Sequence, residues 1–97
     1  MAIESKSKFV VNESTVTTAG TAVQLPDILV GEACDLVVKS KRTNRGAIKI
    51  GESAEQAQAG KFTLEPGEAV KLRISNANKV YADAEISGDR IELIVEQ

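Results

Sequence analysis

The sequence predicts an all-β protein: a small antiparallel β-sandwich or barrel of about eight short strands, preceded by a flexible N-terminal arm. Short stretches of alternating apolar and polar residues recur along the chain, and each is bounded by Gly, Pro, Asn or Asp. β-Branched residues dominate several of these stretches, as is typical of strands. With 97 residues, the chain is expected to form one domain over residues 9–97, with the arm over residues 1–8.

The first half of the chain accounts for the arm and for five of the predicted strands. Residues 1–8 mix charge with serine and lack periodicity, which indicates the arm. Turn residues such as Pro26 and Gly31 interrupt the part that follows. The polar connection 41–46 ends in glycine and is expected to be a hairpin loop. The strands are predicted at residues 9–11, 14–18, 21–25, 35–41 and 47–51.

The second half contains a connecting segment and the remaining strands. Residues 52–60 are rich in Ala, Gln, Glu and Ser and are expected to form a surface loop, with one helical turn as the alternative. In the turn Glu65-Pro66-Gly67-Glu68, proline and glycine suit the two central positions of a type II turn. The flanking stretches 62–64 and 70–74 are therefore predicted to pair as a hairpin. The last two strands are predicted at residues 79–86 and 90–96.

Composition argues against several classes of protein. Twelve basic and fourteen acidic residues are interleaved and give a net charge of -2, so no general attraction to nucleic acid is expected. No apolar stretch approaches the ~20 residues that cross a bilayer, and the first residues lack the apolar core of a signal peptide. A cytosolic protein is expected. The lone Cys34 cannot form an internal disulfide and is expected to be a small packing residue.

The residue inventory disfavours catalysis and cofactor binding. Histidine, the commonest general base, is absent from the chain. Asp83 and Glu85 fall on one face of a predicted strand, where they are expected to be solvated surface charges. No calcium-binding loop of the D-x-[DN]-x-[DN]-G type is present. We therefore expect a protein that is not an enzyme and holds no cofactor or metal.

The basic residues are concentrated locally at one place. Lys39, Lys41, Arg42 and Arg45 fall at the end of a predicted strand and in the loop that follows it. These side chains are candidates for binding an acidic partner surface, and the alternative is a solvated loop that protects an edge strand. No aromatic residues interleave with them to stack on bases, so a protein partner is favoured over nucleic acid.

Four stretches of the chain form a pattern spread over most of residues 15–95. They are TTAGTAVQL at 17–25, NRGAIKIG at 44–51, LEPGE at 64–68, and KVYADA at 79–84 followed by SGD at 87–89. Their glycines and their proline are expected at turn positions. In this pattern the chain resembles small virion structural proteins of tailed bacteriophages.

The resemblance implies a β-sandwich that acts as a head decoration, or cement, protein. Such a protein would bind the outer capsid surface at junctions of the major capsid protein, commonly as a homotrimer, after being made in the host bacterial cytoplasm. The alternative within this resemblance is a tail- or fibre-associated module that adapts two tail parts or binds a host surface molecule. A cytosolic enzyme or regulatory domain is the third, least favoured reading. No catalytic residue carries over from the resemblance.

Overall fold

A computed structural model describes residues 8–97 of the chain. Within these residues, eight strands form two open antiparallel sheets, sheet A in the order β1-β8-β3-β6 and sheet B in the order β2-β7-β4-β5. Both sheets contribute to one hydrophobic core, which confirms the predicted all-β sandwich. The predicted arm lies outside the described residues except for Lys8. The elements are β1 (Phe9–Thr15), β2 (Val23–Gln24), β3 (Leu36–Ser40), β4 (Ile48–Gly51), α1 (Ala54–Ala59), β5 (Thr63–Leu64), β6 (Ala69–Leu72), a 3₁₀ helix (Ala77–Lys79), β7 (Tyr81–Ala84) and β8 (Arg90–Glu96).

Sheet A is organised by the alternation of its two central strands. Leu93 of β8 pairs with Val38 of β3, and such rows of aliphatic side chains form one wall of the core. Ile94, the apolar exception to the alternation, faces the other way and is 42% exposed. The buried side chains of these two strands include Leu36, Val38, Ile91, Leu93 and Val95.

Sheet B supplies the opposite wall with smaller side chains. Its inward-facing residues include Ile48 and Ile50 of β4 and Ala82 and Ala84 of β7, which are all buried. Cys34 lies in the same core and is 6% exposed, so its predicted role as a small packing residue is confirmed.

The two predicted hairpins are wrong, although the turn itself is correct. Gly67 has a φ of 90°, and the Glu68 N–H donates to the Glu65 carbonyl over 2.8 Å, as a type II turn requires. However, β5 pairs with β4 in sheet B, whereas β6 pairs with β3 in sheet A. The connection 41–46 likewise leads from β3 in sheet A to β4 in sheet B. Both connections therefore lead from one sheet to the other. The residues of a turn reverse the chain direction, but they do not determine which strand the next segment pairs with.

The segment predicted as a surface loop, residues 52–60, contains the helix α1 instead. Its start is capped by Ser53, whose hydroxyl accepts a hydrogen bond from the Gln56 N–H over 3.2 Å. The helix packs on sheet B, where Ala57 is fully buried and Gly51 permits the close approach. A Cβ on Gly51 would lie 2.5 Å from the Cβ of Gln56. The helix therefore covers part of the outer face of sheet B.

Candidate functional site

The four basic residues predicted to bind a partner fall into two pairs. Lys39 and Lys41 lie at the end of β3 and beyond it, with their side chains on the outer face of sheet A. Arg42 and Arg45 lie in the connection between β3 and β4 and are exposed. We call this connection, residues 41–46, the basic loop.

Both lysines have acidic neighbours on the same face of the sheet. The Lys41 ammonium group is hydrogen-bonded to Glu13 of β1 and lies 3.6 Å from a carboxylate oxygen of Glu92. The Lys39 Nζ lies 3.7 Å from the other oxygen of Glu92, and the Arg90 Nη1 lies 3.1 Å from Glu13. We call these five residues, Glu13, Lys39, Lys41, Arg90 and Glu92, the outer ion network.

The outer ion network shifts the titration of its most closely paired members. The hydrogen bond from Lys41 holds the pKa of the Glu13 carboxyl below its ordinary value, and the same bond raises the pKa of Lys41. These side chains are accessible to solvent, so each pair contributes little to stability. The network does, however, leave less lysine charge available to an acidic partner.

The basic loop is fastened to the start of β8 by Asn44. The Asn44 side-chain amide donates to the Arg90 carbonyl over 2.7 Å and to the Ser40 hydroxyl over 3.1 Å. Its oxygen accepts a hydrogen bond from the Arg90 N–H over 2.8 Å. One side chain therefore satisfies both backbone groups of Arg90 and fixes the loop beside that strand.

Asp89 holds the other end of the basic loop. Its carboxylate is 5% exposed and accepts hydrogen bonds from the backbone N–H groups of Arg45, at 3.1 Å, and Gly46, at 2.9 Å. The carbonyl of Asp89 in turn accepts a hydrogen bond from the Val16 N–H over 2.9 Å. The loop is thus pre-organised, and it presents the Arg42 and Arg45 side chains to solvent. Within residues 8–97, neither of these guanidinium groups makes a salt bridge.

The expectation that Asp83 is a solvated surface charge is wrong. Asp83 is fully buried; its Oδ1 accepts hydrogen bonds from the Gly20 N–H at 2.9 Å and the Ala84 N–H at 2.8 Å. Its Oδ2 lies 3.7 Å from the Lys49 Nζ and accepts no hydrogen bond from the part of the chain that the structure describes. Glu85 is exposed, as expected. The loop containing Gly20 contacts this face of sheet B, whereas the strand alternation alone indicated a solvated surface.

A large cleft, which no sequence pattern predicts, lies beside β6. Its volume is about 1320 Å³, and both apolar and charged side chains line it. Phe62, Leu72 and Ile74 supply apolar surface, while Glu55 and Lys79 lie among its polar residues. Because the sequence contains no histidine, a Ser-His or Cys-His nucleophile cannot form there. Among residues 8–97, no three acidic or cysteine side chains are grouped to hold a metal ion.

Comparison with known proteins yields no match to a family model, to a curated protein or to a solved structure. In the part of the chain that the structure describes, no helix has the length and apolar character needed to cross a membrane. The function must therefore be argued from the sequence pattern and from the geometry of the basic loop.

Proposed function

We propose that this chain is a non-enzymatic virion structural protein of a tailed bacteriophage, and specifically a capsid decoration protein. It binds the outer surface of the head as a homotrimer and stabilises junctions between subunits of the major capsid protein. The resemblance across residues 15–95 supports the viral assignment, and the β-sandwich is compatible with it. The protein is made in the host cytoplasm and acts on the capsid surface, with no cofactor, nucleic acid or membrane involved.

The observation that carries the proposal is the pre-organised basic loop. Arg42 and Arg45 project from a loop that Asn44 and Asp89 hold in place. A fixed loop loses little conformational entropy when it binds, so more of the interaction energy appears as affinity. Guanidinium groups also suit bidentate hydrogen bonds with the carboxylates of an acidic partner surface.

Lys39 and Lys41 have a secondary part in this proposal because of their acidic neighbours on sheet A. They increase the positive potential beside the loop, but the nearby carboxylates of Glu13 and Glu92 weaken their attraction to an acidic capsid surface. Residues 1–8 contribute further contacts across a neighbouring subunit. Binding of this kind stabilises the capsid by mass action, since the decoration protein binds the assembled shell and not its dissociated subunits.

The test is binding of the purified full chain to expanded heads that lack it. An Arg42→Glu/Arg45→Glu double variant is expected to bind at least about tenfold more weakly, and its remaining binding should depend less on salt. The matched control is Lys61→Glu/Lys79→Glu, which reverses the same number of charges at exposed positions outside the basic loop. Equal loss in both variants, or no loss in either, would remove the loop from the proposal. A chain lacking residues 1–8 that binds as well as the full chain would remove the arm.

A further inference from the structure

The outer face of sheet A carries a row of apolar side chains. Val11 of β1 pairs with Ile94 of β8, and Ile94 pairs with Val37 of β3, so the three side chains are neighbours on one face. Phe9 lies two residues before Val11 on the same face of β1. Phe9 and Val11 are 61% and 67% exposed, which is high for aromatic and β-branched residues. We call Phe9, Val11, Val37 and Ile94 the outer apolar row.

The two outer faces of the sandwich differ in their cover. On sheet B, α1 packs over β4 and β7 and buries Ala57. On sheet A, the outer apolar row crosses the two central strands and one edge strand; Phe9 and Val11 are more than half exposed, Ile94 is 42% exposed and Val37 is half-buried. A contiguous exposed apolar surface bordered by polar residues marks an interaction site in soluble proteins.

The charges around this row identify the kind of partner. On one side of the row, every member of the outer ion network has an opposite charge nearby on the same face. On the other side, the Asp35 carboxylate lies 3.1 Å from the Arg73 Nε and 4.0 Å from the Lys71 Nζ. A face with a large excess of one charge would repel a second copy of itself and require an oppositely charged partner. Most charges of this face are paired within it; Glu96, which is opposite Phe9, makes no salt bridge within residues 8–97. The face therefore carries no large excess of one charge, which makes it compatible with its own copy.

We propose that the outer face of sheet A, centred on the outer apolar row, is the surface through which copies of this chain associate. Burial of the row in the assembly supplies the hydrophobic driving force. The strands β1, β8, β3 and β6 are seven, seven, five and four residues long. At ~3.3 Å per residue and ~4.8 Å between strands they give a flat face of roughly 360 Å², below the ~800 Å² per partner of a standard interface. The association is therefore weak at low protein concentration.

Sedimentation equilibrium of the purified full chain over a wide range of concentrations tests this inference. The wild-type chain is expected to form a defined oligomer as its concentration rises. Val11→Lys and Ile94→Thr should each weaken association by about tenfold or more, because each removes apolar area from the interface. Thermal unfolding confirms that each variant is folded; Val11, on an edge strand, is the position where lysine is best tolerated.

The matched controls are Leu29→Lys and Phe62→Lys, at positions that are 65% and 50% exposed and lie outside the row. These variants should associate like the wild type. A chain that stays monomeric throughout, or an oligomer that survives Val11→Lys, overturns the inference. Control variants that dissociate as readily as Val11→Lys overturn it as well. The inference rests on the proposed function only for the association of copies: a monomeric chain would contradict the homotrimer as well, whereas capsid binding is measured separately and can fail or succeed on its own.

Discussion

The buried carboxylate of Asp83 and the ammonium group of Lys49 lie 3.7 Å apart on adjacent strands of sheet B. Asp83 is fully buried, and two backbone N–H groups donate to one of its oxygens. The carboxylate thereby ties the loop at Gly20 to β7. Asp83 is a structural residue whose role depends on both its shape and its charge.

Substitutions of Asp83 separate those two contributions. Asp83→Ala leaves two backbone donors without their acceptor and the Lys49 charge without its carboxylate neighbour, so we expect a loss of about 3 kcal/mol in the free energy of unfolding. Asp83→Asn retains an oxygen acceptor and should lose about 1–2 kcal/mol. Urea unfolding measures both, with exposed Glu52→Ala as the control. Equal stability of the Ala variant and the wild type would refute the structural role.

Asn44 is expected to control the order of the basic loop. Asn44→Ala removes three hydrogen bonds, two of them to the backbone of Arg90, and should destabilise the fold by about 1–2 kcal/mol. Hydrogen exchange at the Arg90 amide should become faster at the same time. Thr43→Ala, at the adjacent exposed position, is the control and should change neither quantity. Unchanged exchange in the Asn44 variant would show that the loop is held by other contacts.

The positive φ angles of Gly67 and Ala33 predict opposite changes in stability when alanine and glycine are exchanged at these two positions. Gly67 has a φ of 90°, and a Cβ there would meet only the Arg42 Cγ at an ordinary 3.8 Å. Gly67→Ala should therefore cost about 1–2 kcal/mol through backbone strain alone. Ala33 has a φ of 60°, so Ala33→Gly should stabilise the protein by roughly 0.5 kcal/mol, after the added entropy of the unfolded chain is subtracted. Thermal or urea unfolding shows whether each substitution raises or lowers the free energy of unfolding. A destabilised Ala33→Gly variant would contradict backbone strain at that position.

Acid should weaken the fold through Glu13 and Asp35. Hydrogen bonds from Lys41 and Arg73, respectively, lower the pKa values of these carboxyls in the folded protein. Their contribution is complete above the ordinary values of 4.5 and 3.8, and it is lost as the pH falls through the lower folded-state values. Glu13→Gln and Asp35→Asn should each reduce this acid dependence, and added salt should reduce it further. A double variant whose stability falls with acid as steeply as that of the wild type would contradict the assignment.

The sequence predicts the strands better than it predicts their partners. Alternation in residues 90–96 identifies the buried face of β8, and the glycine and proline at 66–67 identify a type II turn. The pairing of β5 with β4 and of β6 with β3 depends on how the two sheets pack, which no local pattern encodes. The same limit applies to residues 52–60, whose composition allows both loop and helix, and where Ser53 and contacts with sheet B favour the helix.

The candidate site shows the same division between local and distant information. The charge cluster of the basic loop is evident from consecutive residues. The residues that hold the loop in place are not evident from the sequence, because Asp89 and Arg90 come more than forty positions later and contact the loop only in the folded chain. Glu13, which neutralises Lys41, is separated from it by 28 positions. The burial of Asp83 likewise depends on elements that are distant in sequence.

Under the proposed function this protein decorates the phage head, and its copy number in the virion separates decoration from the alternative roles. Quantitative mass spectrometry of purified particles, scaled to the major capsid protein, gives this number. Decoration of the whole head predicts an abundance within a few-fold of the capsid protein. A handful of copies per particle would contradict decoration and favour the tail- or fibre-associated role, and complete absence from the particle would contradict both.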